Sequence, residues 1–228
     1  MRLESDSIGE KEISDSAYYG VQSARAKENF PITGRQLRPE FICNLAQIKK
    51  AAALANHEAG TLDYQRMQAI VQACNDVISG KLPEQFIVDP IQGGAGTSAN
   101  MNANEVIANR AIEYLGGQKG EYSLVHPNDH VNMSQSTNDV FPTAGKLTAL
   151  DLTKPLLLQL YALKEALEDK AEELKDVVKI GRTQLQDAVP ESFGQTFGAF
   201  ANMVGRTAER IKSSEKELCS LNLGGTAI

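Results

Sequence analysis

Four absences narrow what this chain can be. It has no run of lysine or arginine long enough to follow a phosphate backbone, and its formal net charge of −6 sets up a field that repels polyanions, so nucleic acid is not an expected partner. It has no CxxC pair. Its three cysteines, Cys43, Cys74 and Cys219, are scattered and odd in number, as expected of buried thiols serving as small core residues in a reducing compartment. It has no apolar stretch of about 18 residues, and the opening Met1-Arg2-Leu3-Glu4-Ser5-Asp6 is polar, so neither a membrane span nor a secretory leader is expected and the expected location is the cytoplasm. Finally, no internal repeat, low-complexity tract or block of like charge stands out. What is present, 228 residues of which 42% are hydrophobic, is enough for one large globular domain or two ordinary ones.

The hydrophobic pattern is mainly helical. Residues 1 to about 38 mix short alternating pieces with Gly9, Gly20, Pro31, Gly34 and Pro39, which predicts an irregular lead-in with a small hairpin. Phe41, Leu45, Ile48, Ala52 and Ala55 then recur at helical steps. A second helix is expected from about Asp63 to Ile78, through Met67, Ile70, Val71 and Cys74. A Pro-containing connector leads to a glycine cluster and a helix of about 15 residues that ends at Gly116-Gly117, followed by a long loop to Asn138. Pro155, as a first helical residue, is expected to open a long amphipathic helix carrying Leu156, Leu160, Leu163, Leu167 and Leu174. From Ser192 to Leu221, Phe193, Phe197, Phe200, Val204, Thr207, Ile211, Ser214 and Leu218 keep heptad spacing, the pattern of a bundle helix about 45 Å long. These stripes report on fold and carry no chemistry.

Three uncharged polar clusters exceed what packing requires. In Gly93-Gly94-Ala95-Gly96-Thr97-Ser98 the glycines let the backbone bend closely round a ligand, and Thr97 or Ser98 is expected to cap a helix starting near Asn100, a place suited to anions. It is no phosphate loop, because no GK[ST] follows. Ser134-Gln135-Ser136-Thr137-Asn138-Asp139 brings two hydroxyls and an amide to a helix expected to begin near Asp139 or Pro142. Upstream, His126 and His130 have the spacing of a helical zinc pair, but Pro127-Asn128-Asp129 disfavours a regular helix, and hydrogen bonding or an accessory anion contact is the stronger reading. Gly181-Arg182-Thr183-Gln184-Leu185-Gln186-Asp187, between the two long helices, is more polar than a helix reversal needs. An Arg182–Asp187 structural ion pair would account for its two charged residues.

Taken in order, Tyr18-Tyr19-Gly20-Val21-Gln22, Gly93 to Asn102, Asn104-Glu105-Val106, His126 to Asn132, Ser134 to Asp139 and Gly181 to Ala188 make a highly specific set. The chain resembles the aspartase/fumarase superfamily over essentially its whole length, and within it the aspartate ammonia-lyase branch. The resemblance implies a mainly α fold: an N-terminal lyase domain over residues 1–138, with a small β element near its start, followed over 139–228 by the first long helices of a central bundle. It further implies a homotetramer with active sites built from three subunits, no cofactor or metal, and reversible anti elimination of ammonia from L-aspartate to give fumarate. By resemblance, Thr97, Ser136 and Thr137 bind the carboxylate beside C3, Thr183 helps hold the other, Asn138 and Gln184 face the amino group, and His126, Asn128 and Asp129 form an accessory anion loop.

Position 184 separates relatives. Fumarases carry His there; Gln cannot exchange a proton near neutral pH, which suits an ammonium that leaves as ammonia better than a hydroxyl that needs an acid. The class II fumarate hydratases are the nearest alternative, and a non-catalytic helical assembly module is the alternative from another class. The family's base, a serine on a loop of the type GSSxMPxKxN, has no counterpart in these residues, so no catalytic residue is assigned in this chain. The ending Leu223-Gly224-Gly225-Thr226-Ala227-Ile228 lies where the family continues, which predicts an N-terminal portion that is inactive on its own.

Overall fold

In the computed structural model, which describes residues 1–224, the expected hairpin pairs β1 (Arg2–Asp6) with β2 (Gly9–Ile13), antiparallel, with Leu3 opposite Glu12. Four helices follow: α1 (Val21–Asn29), α2 (Pro39–Glu58), α3 (Tyr64–Ile78) and α4 (Thr97–Tyr114). Their starts are chemically legible. Pro39 stands at the first position of α2, where its missing N–H costs nothing. Asp63 caps α3 by accepting from the Arg66 backbone N–H at 3.0 Å. The next helix, α5, runs unbroken from Thr137 to Glu173, and a second hairpin of β3 (Val178–Thr183) and β4 (Gln186–Ser192) leads to α6 (Phe193–Leu218).

The chain separates into two compact units. One holds Met1–Thr148 with the segment from Leu221, the other Ala149–Ser220. This division by packing falls within α5, eleven residues after its start at Thr137. In the first unit the core joins α2, α3, α4 and the start of α5 through Leu45, Ile70, Cys74, Ile107, Ile112 and Val140. α4 is buried nearly all round, yet carries Asn100, Asn102, Asn104, Glu105 and Asn109 in its buried positions. Several of these serve the loops that wrap the helix. Asn102 bonds Ile87 N and Gln85 O, Asn109 bonds Gly120 N and Tyr18 O, and Glu105 accepts from the N–H groups of Gly20, Gln22 and Ser23 at the head of α1. Buried backbone groups need partners, and amide side chains on a central helix supply them.

Several sequence expectations need correction. Pro155 opens no helix: it lies exposed within the 37 residues of α5, where the loss of one helical N–H is borne on the solvent side. In α2 the expected Leu45 and Ile48 are buried, together with Ile42, Ala46, Lys49 and Ala53, but Phe41 and Ala52 are only half-buried and Ala55 is exposed. In α6 the fully buried apolar positions are Ala201 and Ala208, whereas Phe200 is 47% exposed, so in this unit the heptad stripe is only partly covered. α6 also ends at Leu218, before Leu221, and starts with a capping box between Ser192 and Gln195. Of the cysteines only Cys74 is fully buried; Cys43 is half-buried and Cys219, just beyond the last turn of α6, is exposed. No helix among the described residues is long and apolar enough to cross a membrane. The Gly225-Thr226-Ala227-Ile228 stretch lies outside the described residues.

Candidate active site

The glycine cluster closes against the start of α5. Gly96 has φ +91°, a left-handed value that side chains resist, and a Cβ added there would lie 2.2 Å from the Phe141 ring. The ring and the bare backbone therefore fit only because the residue is glycine. Beside them opens a cavity of about 440 Å³ lined by Gln92, Gly94, Gly96, Asn138 and Phe141. α4 begins at Thr97, earlier than expected, and neither Thr97 nor Ser98 caps it. Gln92 Oε1 takes the Ala99 N–H instead, at 2.6 Å. Thr97 is exposed, and its hydroxyl holds no partner among the described residues, so it is free to meet a ligand.

The second cluster does part of what a capping loop does. Ser136 Oγ accepts from Asn138 N at 3.2 Å and the Asp139 carboxylate accepts from Ser136 N at 3.2 Å, starting α5 at Thr137. Ser134, with φ +58°, turns the chain into this start. Thr137 Oγ1 accepts from Asn100 Nδ2 of α4 at 3.1 Å. Both hydroxyl oxygens thus accept a hydrogen bond from the protein, and both keep their own O–H to donate elsewhere. The first two clusters are joined by this Asn100–Thr137 bond and by the shared cavity.

Beneath them lies a group that hydrophobic patterning passes over. Lys49 is 0% exposed and its Nζ donates to Asn132 Oδ1 at 2.7 Å. Asn132 Oδ1 also accepts from Asn100 Nδ2 at 3.0 Å, and Asn132 Nδ2 donates to the Gln135 carbonyl at 3.0 Å. Burial pulls the Lys49 ammonium down to about 7 and, in the same core, pushes the Cys74 thiol up to about 12. The signal was available: Leu45, Lys49 and Ala53 stand four apart, so a lysine occupies the centre of an apolar face.

The His126 segment forms one wide helical turn, Pro127–Val131, closed by Val131 N to His126 O at 3.2 Å and Asn132 N to Pro127 O at 3.0 Å. His126 Nδ1 accepts from Asp129 N at 3.1 Å, and His130 Nδ1 accepts from His126 N at 2.8 Å. These bonds turn the Nδ1 of each ring toward the backbone of its own turn. His126 lines a polar cavity of about 500 Å³ with Ser98, Gln22, Asn29 and Arg25, while Asn128 and Asp129 are exposed.

The third cluster belongs to the second unit, where it is the tip of the β3–β4 hairpin. Gln184 and Leu185 form the two-residue turn, both with positive φ, +47° and +65°, values that such turns require and that glycine or asparagine normally supplies. Leu185 is 97% exposed. Thr183 and Gln184 are exposed, with no side-chain hydrogen bond among the described residues. Arg182 and Asp187 do pair, at 2.7 Å, on an exposed face where such a pair stabilises little. Glutamine and leucine in these left-handed positions carry backbone strain that glycine would avoid.

A family model described as "Lyase" matches residues 9–228. An aspartate ammonia-lyase from a Bacillus species is 55% identical over 228 residues, all of this chain and 49% of that protein. The crystal structure of a fumarate lyase:delta crystallin from Brucella melitensis superposes with a TM-score of 0.94 at 51% identity, covering 99% of this chain and 51% of the other. A class II fumarase from Schistosoma mansoni superposes with a TM-score of 0.92 at 39% identity, over all of this chain and 48% of that one. The chain thus spans about half the length of the relatives it matches. With a helical fold shared across such structures and a family match from residue 9 onward, the chain belongs to this lyase family.

Proposed function

We propose that this chain carries the carboxylate-binding loops of an aspartate ammonia-lyase, which removes ammonia from L-aspartate by anti elimination to give fumarate. The observation that carries this is the state of the hydroxyls. Ser136 and Thr137 accept from the protein and have protons to give, Thr97 is uncommitted, and all three lie at helix starts, where backbone N–H groups favour an anion. Removing a proton from C3 drives extra negative charge onto the adjacent carboxylate. Donors fixed beforehand around that carboxylate stabilise the transition state more than the ground state. The C3 proton passes to a base outside these residues, the electron pair forms the C2–C3 double bond, and the C2–N bond breaks with ammonia as leaving group. Asn138 and Gln184 face the departing nitrogen and Thr183 holds the second carboxylate. Gln184 needs no proton to give, since the ammonium brings its own. His126, Asn128 and Asp129 form an accessory anion loop.

Because Thr183 and Gln184 stand on an exposed hairpin tip, we assign them to the site of a neighbouring copy within a homotetramer, in which each active site draws on three subunits. The substrate is a small molecule and the location cytoplasmic; nucleic acid and membranes are not partners. The test is an assay of the protein encoded by the complete reading frame: L-aspartate should yield fumarate and ammonia, and preferential dehydration of malate would favour the fumarase reading instead. Absence of a defined succinate site at Thr97, Ser136 and Thr137 would favour a purely structural bundle.

A further inference from the structure

Lys49 is buried in the middle of α2 with one acceptor for its Nζ among the described residues, Asn132 Oδ1 at 2.7 Å. An ammonium has three protons to place, and burying it with a single partner costs stability. A methionine of similar length would fill the volume without that cost. The hydrogen bonds leading away from Lys49 suggest why a lysine stands there. Because Lys49 and Asn100 both donate to Asn132 Oδ1, the Asn132 amide cannot turn over without setting its own NH₂ against two donors. The orientation of Asn132 in turn keeps Asn100 Nδ2 directed toward it, and the same Nδ2 donates to Thr137 Oγ1. Asn100 Oδ1 is left buried without a partner, a second cost that turning the Asn100 amide over would relieve. With Asn100 reversed, the Thr137 hydroxyl would donate inward to Asn100 Oδ1 and have no proton for a ligand.

We propose that Lys49 is a positioning residue that sets the direction of the Lys49–Asn132–Asn100–Thr137 chain, so that Thr137 accepts from the protein and keeps its proton for the substrate carboxylate. This rests on the reading of these loops as a carboxylate site. It also explains two destabilising features, a buried amine with a single partner and an orphaned carbonyl, in one chain beneath the site, where function and stability are traded against each other.

The test uses the complete protein and two variants. Lys49→Met should raise KM for L-aspartate roughly tenfold or more, the effect of losing one well-made hydrogen bond to a charged group, with a smaller change in kcat and a melting temperature equal to or above that of the wild type. In a Thr137→Val background the same change should add little, because both act on one contact. Asn100→Asp, which presents only acceptors to Thr137, should raise KM by a similar factor. An unchanged KM in either variant, or a Lys49→Met protein that melts earlier or fails to fold, overturns the inference while leaving the lyase reading standing. Wild-type protein that releases no ammonia from aspartate overturns the lyase reading and this inference with it.

Discussion

At Gly96 the backbone and a neighbouring ring compete for the same space, and the absence of a side chain decides the outcome. Its φ of +91° and the 2.2 Å that would separate a Cβ from Phe141 add two penalties in one substitution. Gly96→Ala is expected to destabilise the protein by roughly 2–4 kcal/mol and to weaken succinate binding in parallel, measurable by thermal melts and calorimetry. Adding Phe141→Ala should recover part of the stability, because only the steric penalty is relieved. The glycines were conspicuous in the sequence, but the partner that makes Gly96 obligatory stands 45 positions later and is an ordinary phenylalanine. Lys49 shows the converse. Lysine is usually a surface residue, and although its place on the apolar face of α2 signals burial, only the three-dimensional arrangement of Asn132 and Asn100 shows what its amine meets.

Between elements, α3 and α4 are joined by more than apolar packing. Asp76 of α3 is 4% exposed and accepts from Lys81 at 2.5 Å, Arg110 of α4 at 2.7 Å and Tyr114 at 2.7 Å. Burial alone would raise its carboxyl, but the hydrogen bonds from Lys81, Tyr114 and Arg110 outweigh it and hold it down at about 2. Since the folded value lies below the ordinary one, this contribution is fully present above about pH 4 and is lost as pH falls toward 2. Asp76→Asn should lower stability at neutral pH by roughly 2 kcal/mol and flatten the acid limb between pH 4 and 2 in a series of denaturation curves. An unchanged acid limb would mean the ion pairs are ornamental. The helices themselves were legible from spacing and caps. Pro155 was misleading because proline marks helix starts only statistically, and an exposed interior position tolerates it.

For the whole molecule, the second unit leaves Leu158 (69% exposed), Val178 (71%), Val189 (71%) and Met203 (54%) uncovered, apolar surface of the kind that marks an interaction face. If sites are shared between copies, mixing a Thr137→Val protein with a Gln184→Ala protein in equal amounts and reassembling them should restore about one site in four to wild-type composition. Ammonia release from the mixture should then exceed that of either parent, and activity that never rises above the parents would place all these residues in one chain's site. The motifs alone established the lyase family, the mainly helical class and the polar loops, because those depend on residue types in a fixed order along the chain. The tertiary structure alone decided that a buried lysine lies beneath the binding loop, that Gln92 and not Thr97 caps α4, and that Thr183 and Gln184 stand on a strained hairpin tip. Each of these depends on which remote residue comes within about 3 Å, and linear order does not encode that distance.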